Sequence, residues 1–139
     1  MENILELQQV SKTFSKSKFS LENVSFNLPY GAIMGFVGEN GAGKTTTIGC
    51  ILNTIKKDSG KIKLFGQEMS DADTDIREKI GVVYDGDNFP TYWTATQLAK
   101  VMAGFYKQWD NILFLKYLEE YKLPANQKIK QYSRGMTMK

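Results

Sequence analysis

The chain has 139 residues, enough for about one domain, and 18 Lys and Arg against 15 Asp and Glu leave a charge of +3, spread along the sequence rather than blocked. At 42% apolar and 12% aromatic it is too hydrophobic for disorder and too evenly charged to read as a nucleic-acid binder; its one cysteine, Cys50, excludes an internal disulfide, and the absence of His excludes His-based catalysis and His metal sites. No apolar run approaches the ~20 residues of a membrane helix and Met1-Glu2-Asn3 does not open a secretory signal, so a soluble cytoplasmic domain is expected.

In chain order, Ile4, Leu5, Leu7 and Val10 predict a first strand, followed by the polar stretch 11–20. Leu21, Val24, Phe26 and Leu28 roughly alternate with polar residues and predict a second strand over 21–28, turned by Pro29-Tyr30-Gly31. Residues 32–37 are a nearly unbroken apolar run, expected of a strand buried on both faces. A glycine-rich loop follows over 38–43, then a helix from Lys44 to about Thr54. Ser59-Gly60 is a turn, 61–65 a short strand and Gly66 another turn. Residues 71–78 read as an acidic loop with one helical turn, and 80–84 as a short apolar strand ended by Asp85-Gly86-Asp87-Asn88.

After Pro90 the pattern becomes helical. Leu98, Val101, Met102 and Phe105 form a stripe with Thr94 or Thr96 as its cap. Phe114, Tyr117, Leu118 and Tyr121 repeat that spacing, capped by Asp110 or Asn111 and stopped before Pro124. Both stripes are expected to pack a core. The expected organisation is strand-rich residues 1–85 and helix-rich residues 86–139.

Gly38-Glu39-Asn40-Gly41-Ala42-Gly43-Lys44-Thr45 satisfies G-x-x-x-x-G-K-[ST] at every fixed position, between an expected strand and an expected helix. Glycines let successive backbone N–H groups turn toward phosphate oxygens. Lys44 supplies a compact charge for the β- and γ-phosphates, and the Thr45 hydroxyl can ligate Mg²⁺. The helix that follows aims its N-terminal N–H groups at the same anion.

With Val-Gly-Glu-Asn-Gly-Ala-Gly-Lys-Thr-Thr in view, the chain resembles the nucleotide-binding domain of ABC transporters, over essentially all its length. The resemblance implies an α/β P-loop fold present in part, with an antiparallel β subdomain and a partial helical subdomain. It implies ATP and Mg²⁺ as ligands, with Gly38, Asn40, Gly41, Ala42, Gly43, Lys44, Thr45 and Thr46 around the phosphates. Val10-Ser11-Lys12-Thr13-Phe14 resembles the segment whose aromatic residue stacks on adenine, which makes Phe14 the platform. Asp58-Ser59-Gly60-Lys61-Ile62 resembles the turn and strand after the phosphate-loop helix. Ile80-Gly81-Val82-Val83-Tyr84 occupies the place of the strand leading to the family's Q-loop, and Asp85 stands where the family usually has Gln. A carboxylate there can still approach Mg²⁺, so Asp85 joins Thr45 as a metal candidate and Lys44 as a catalytic one.

Tyr132-Ser133-Arg134-Gly135-Met136 takes the position of the family's Leu-Ser-Gly-Gly-Gln signature, matching it at Ser133 and Gly135 and departing at Tyr132, Arg134 and Met136. In the family this segment faces the γ-phosphate held by the opposite subunit. The resemblance therefore implies a second nucleotide-binding domain in a head-to-tail dimer, a membrane permease subunit, and a peripheral place at the inner face of the membrane. The family's apolar strand ending in Asp-Glu and its later His are not among these residues, so the chain is expected to be an amino-terminal piece that binds nucleotide without turnover and self-associates. Two other readings compete. A small stand-alone P-loop kinase or NTPase would use 82–85 as the strand ending in its Mg²⁺-holding Asp, although only Arg77 and Arg134 are available for a lid. A translation-associated ABC protein would have no membrane partner.

Overall fold

A computed structural model describes residues 2–16, 18–70, 73–84 and 89–139. The chain divides into two compact units, Met1–Arg77 and Glu78–Lys139.

The first unit is organised by a four-stranded antiparallel sheet in the order β2-β1-β3-β4. Its strands are β1 (Asn3–Thr13), β2 (Ser20–Pro29), β3 (Ser59–Leu64) and the two-residue β4 (Gln67–Glu68). In β1, Leu5 and Leu7 point to one face, opposite Leu64 and Ile62 of β3, and all four are buried. Strict alternation would then turn Val10 outward. A bulge between Leu7 and Val10, with Gln9 at φ 49°, shifts the phase so that Val10 is fully buried as well. β2 makes the matching adjustment at Asn23, φ 52°, whose N–H donates to the Ser11 hydroxyl at 2.9 Å, while the Gln9 N–H donates to Ser25 Oγ at 2.8 Å.

The helix α1 (Lys44–Ile51) places Thr47 and Cys50 among the buried residues. It ends three residues before the expected Thr54. Asn53 takes the left-handed conformation, φ 55°, and the Gly49 carbonyl accepts from the N–H groups of Thr54 and Ile55 at 2.9 and 3.0 Å, which closes the helix there. The unit finishes with the single-turn α2 (Thr74–Arg77), which buries Ile76.

The second unit contains α3 (Ala95–Phe105), α4 (Asn111–Glu120), a 3₁₀ turn (Ile129–Gln131) and α5 (Arg134–Thr137). Of the cap alternatives, Thr94 and Asp110 are the residues used. Thr94 accepts from the Gln97 N–H and Gln97 returns the bond, a reciprocal box, while Asp110 accepts from the Leu113 N–H at 2.9 Å. Residues 91–96 are laced to 125–130: Ile129 N–H donates to the Trp93 carbonyl, Lys130 N–H to Thr91 and Thr96 N–H to Ala125.

Two expectations are corrected. Neither 32–37 nor 80–84 is a strand, and Ile33, Val37 and Val83 are almost wholly exposed. An apolar run becomes a buried strand only when other strands take its N–H and C=O groups, and among the described residues no strand pairs with either run. Within 32–37, the Phe36 ring packs on that of Phe26 of β2, with centroids 5.7 Å apart. The helical stripes are also less buried than expected: Phe105 is 75% exposed, Tyr117 46% and Tyr121 45%, and α3 buries Ala95 and Ala99 instead. A 3.6-residue period marks which face is apolar, not whether anything covers it.

Candidate nucleotide-binding site

Residues 38–46 form a tight loop running directly into α1. Gly41 and Gly43 have φ of 90° and 94°, backbone that a side chain strains to adopt. A Cβ on Gly43 would stand 3.0 Å from both Leu21 Cδ1 and Phe19 Cζ, so a larger residue here is strained by its conformation and presses on both side chains. The Ala42 N–H donates to the Glu39 carbonyl at 3.1 Å. Thr47, buried one turn into α1, donates both its N–H and its hydroxyl to the Gly43 carbonyl, at 2.8 and 2.9 Å. These two hydrogen bonds to one carbonyl fix the junction between loop and helix.

Gly43 caps α1 without any side chain, and α1 has no acidic residue in its first turn. The amides that open the helix are therefore left for an outside acceptor, and the helix dipole favours an anion there. Lys44 lies folded along the same loop, its Nζ donating to the carbonyls of Gly38 at 2.6 Å and Glu39 at 2.7 Å. Beside it a cavity of about 290 Å³ is lined by Asn40, Gly41, Gly43, Lys44, Thr45, Thr46 and Phe19. A positive group, glycines in left-handed conformation and uncapped amides around a concave space suit a phosphate chain. For a metal, the side-chain oxygens in this lining are those of Asn40, Thr45 and Thr46, and the Thr45 hydroxyl is the expected candidate among them. No cluster of three or more His, Cys, Asp or Glu occurs among the described residues, so an ion here needs phosphate oxygens to complete its shell.

Six of the expected phosphate-site residues thus line one cavity, with Gly38 and Ala42 in the same loop. Asp85 lies outside the described residues. Phe14 is not among the lining residues; its ring sits 6.3 Å from that of Phe19, tilted by 35°. Phe19 is the lining residue that sequence reasoning missed. It is an isolated apolar residue between polar neighbours, and its signal was an aromatic directly before the second strand.

The backbone that carries Phe14 is clamped by Asp58, in the turn before β3. Asp58 accepts from Lys12 Nζ, the Thr13 N–H and the Thr13 hydroxyl, each at 2.7 Å. The Lys12 bond, then the two from Thr13, hold its carboxyl at about 2, well below its ordinary value. Lys12 Nζ also stands 5.7 Å from the Phe14 ring centre.

In the other unit, Ser133 caps α5 by accepting from the Met136 N–H at 3.2 Å. The space around Gly135 is open. Tyr132 donates its hydroxyl to the Pro124 carbonyl at 2.6 Å, and burial pushes its phenol above the ordinary range. A Leu at that position could not make this bond.

The family model described as ABC transporter matches residues 21–139. The bacitracin transport ATP-binding protein BcrA of Bacillus licheniformis is 35% identical over 97 residues, which are 70% of this chain and 31% of that protein. The zinc uptake system ATP-binding protein ZurA of Listeria monocytogenes is 36% identical over 109 residues, 78% of this chain and 41% of its own. The structure of an ATP-binding subunit of an ABC transporter superposes with a TM-score of 0.82 at 22% identity, covering 97% of this chain and 58% of that one. The chain thus spans less than half the length of these two curated relatives.

Proposed function

The chain belongs to the ABC transporter family, and on that premise we propose that it is the ATP-binding portion of an ATPase subunit that couples nucleotide binding and hydrolysis to transport through a separate membrane permease. The observation that carries this reading is the loop 38–46: two glycines at positive φ, an uncapped helix start and the Lys44 ammonium around one cavity. On binding, Lys44 exchanges the carbonyls of Gly38 and Glu39 for phosphate oxygens, and the amides of the loop and of the first turn of α1 take up the rest. Thr45 would hold Mg²⁺, which would supply charge neutralisation for the phosphates. Asp85 is proposed as its second contact.

Ser133 and Gly135 serve a second nucleotide-binding domain in this reading, in a head-to-tail dimer. Gly135 leaves room for close approach and Ser133 holds the segment in a capped turn. The subunit works at the inner face of the membrane, docked on its permease; no helix among the described residues is long and apolar enough to cross a bilayer. Taken alone, the 139 residues bind nucleotide without turning it over, since they contain neither His nor an Asp-Glu pair to serve as base and γ-phosphate sensor. The exposed runs 32–37 and 80–84 favour self-association of this chain in isolation.

Calorimetric titration of the wild type and Lys44→Ala with ADP and ATP tests the assignment. Removing the charge that meets the phosphates is expected to weaken binding by on the order of tenfold to a hundredfold. Equal affinities on folded protein would refute it.

A further inference from the structure

The first unit holds a second concave space, at the end of α1 remote from the phosphate loop. α1 has eight residues, so its two ends lie about 12 Å apart. The chain folds back where the helix stops: a Cβ added to Gly49 would stand 2.6 Å from Ile55 Cδ1, and the Thr54 hydroxyl donates to the Gly49 carbonyl at 3.2 Å. That return sets Lys56 and Lys57 beside β3 and β4, around a cavity of about 350 Å³. Its floor is apolar, made by Ile51, Ile62, Met69 and the thiol of Cys50. Cys50 and Ile62 are buried, and burial pushes the thiol above its ordinary range, so it stays a neutral part of that floor. The rim is charged and exposed: two ammonium groups, Lys56 and Lys57, against one carboxylate, Glu68, leave a single net positive charge. Lys12, whose field also reaches Cys50, is paired with Asp58 at 2.7 Å, whereas Lys57 has no hydrogen bond or ion pair among the described residues.

We infer that this cavity is a binding site for a small amphiphilic anion, a single carboxylate head on a short aliphatic body, separate from the nucleotide site. The head meets Lys57, with Lys56 adding to the field, and one negative charge is what the rim can balance. A polyphosphate brings several charges against Glu68 and has nothing to lay on the floor. The body takes water off Ile51, Ile62 and Met69, and a cavity at the small end of the ligand-binding range limits it to a short chain. Both halves of the ligand are needed. A bare carboxylate leaves the floor wet, and a cation with the same body meets two ammonium groups.

Cys50 is the one cysteine of the chain, so its alkylation by iodoacetamide reports on the floor of this cavity alone. On the full chain at fixed pH and ionic strength, hexanoate is expected to slow that reaction, and to do so at least about tenfold more tightly than acetate. Hexylammonium at the same concentration should not slow it. Lys57→Ala, a change at an exposed side chain, should weaken the protection about threefold, and Lys57→Glu, which turns the net charge of the rim negative, should abolish it. Lys44→Ala should leave it unchanged, which separates the fate of this site from that of the nucleotide reading. Should the thiol prove unreactive in the folded chain, the methyl resonances of Ile51, Ile62 and Met69 take its place, shifting with the same ligands and variants in the same order. Hexanoate without effect, or matched by acetate or by hexylammonium, would overturn the inference. So would an effect of hexanoate that survives Lys57→Glu or is lost in Lys44→Ala.

Discussion

Residues 1–77 and 78–139 solve the problem of burying their apolar side chains to very different degrees. The first unit buries Leu5, Leu7, Val10, Leu21, Cys50, Ile62, Leu64 and Ile76, most of them on one face of a sheet whose two bulges bring Val10 into phase. Among the described residues of the second, the buried apolar side chains are Ala95, Ala99 and Leu118. What holds that unit in shape is instead a set of directed bonds: the caps at Thr94, Asp110 and Ser133, the lacing of 91–96 to 125–130, and the Tyr132 hydroxyl on Pro124. Area removed from water stabilises without regard to direction, whereas each of these bonds contributes little net energy but sets geometry. The phosphate loop sits in the unit with the core, and the signature-like segment in the unit with the caps. Site geometry is thus secured by packing in one place and by hydrogen bonds in the other.

The largest test of that contrast is a pair of core deletions. Leu7 is 1% exposed and Leu118 8%. Leu7→Ala is expected to cost about 3–4 kcal/mol and Leu118→Ala about 2 kcal/mol. Both tryptophans, Trp93 and Trp109, lie in 78–139, so Trp emission follows the second unit while far-ultraviolet circular dichroism follows both. Denaturant curves read by the two probes should separate for Leu7→Ala. Coincident curves for both variants would break the comparison, because the two units would then unfold as one.

A smaller effect is expected at Tyr132. Tyr132→Phe removes one hydrogen bond of 2.6 Å from a part-buried site and should cost about 1 kcal/mol, visible in the Trp-monitored midpoint. No change in that midpoint would mean that directed bonds do not stabilise the second unit.

The smallest effect concerns acid. Asp58 titrates at about 2 in the folded chain against an ordinary value of 3.8, so its contribution is fully present above about pH 4 and is lost as pH falls through about 2. The pair with Lys12 is solvent-exposed, which keeps the effect small. Wild type should lose more stability than Asp58→Asn between about pH 6 and pH 3, measured as the difference in denaturation midpoint. Equal losses would detach the clamp from the stability of the first unit.

Much of this was legible in the sequence because it depends on neighbours along the chain. The phosphate loop is a local construction, in which the residue types at 38–45 suffice to specify glycine conformations, a cation and a helix start. The helices α3 and α4 were legible for the same reason, from caps and a 3.6-residue period. The bulges at Gln9 and Asn23 were not, since each depends on the strand lying opposite. Phe19 escaped notice because an aromatic flanked by polar residues has no periodic signal.

By itself, then, the sequence pointed to the candidate site at 38–46, the family and the positions of most elements, all of which follow from short-range chemistry. Tertiary structure alone decided that Phe19 borders the phosphate cavity, that Asp58 reaches back to Thr13 and Lys12, and that 32–37 and 80–84 stay out of the sheet. Each of these depends on which distant backbone supplies a partner. An apolar run carries the capacity to be a buried strand, but hydrogen bonds and cover from elsewhere in space are what turn that capacity into one.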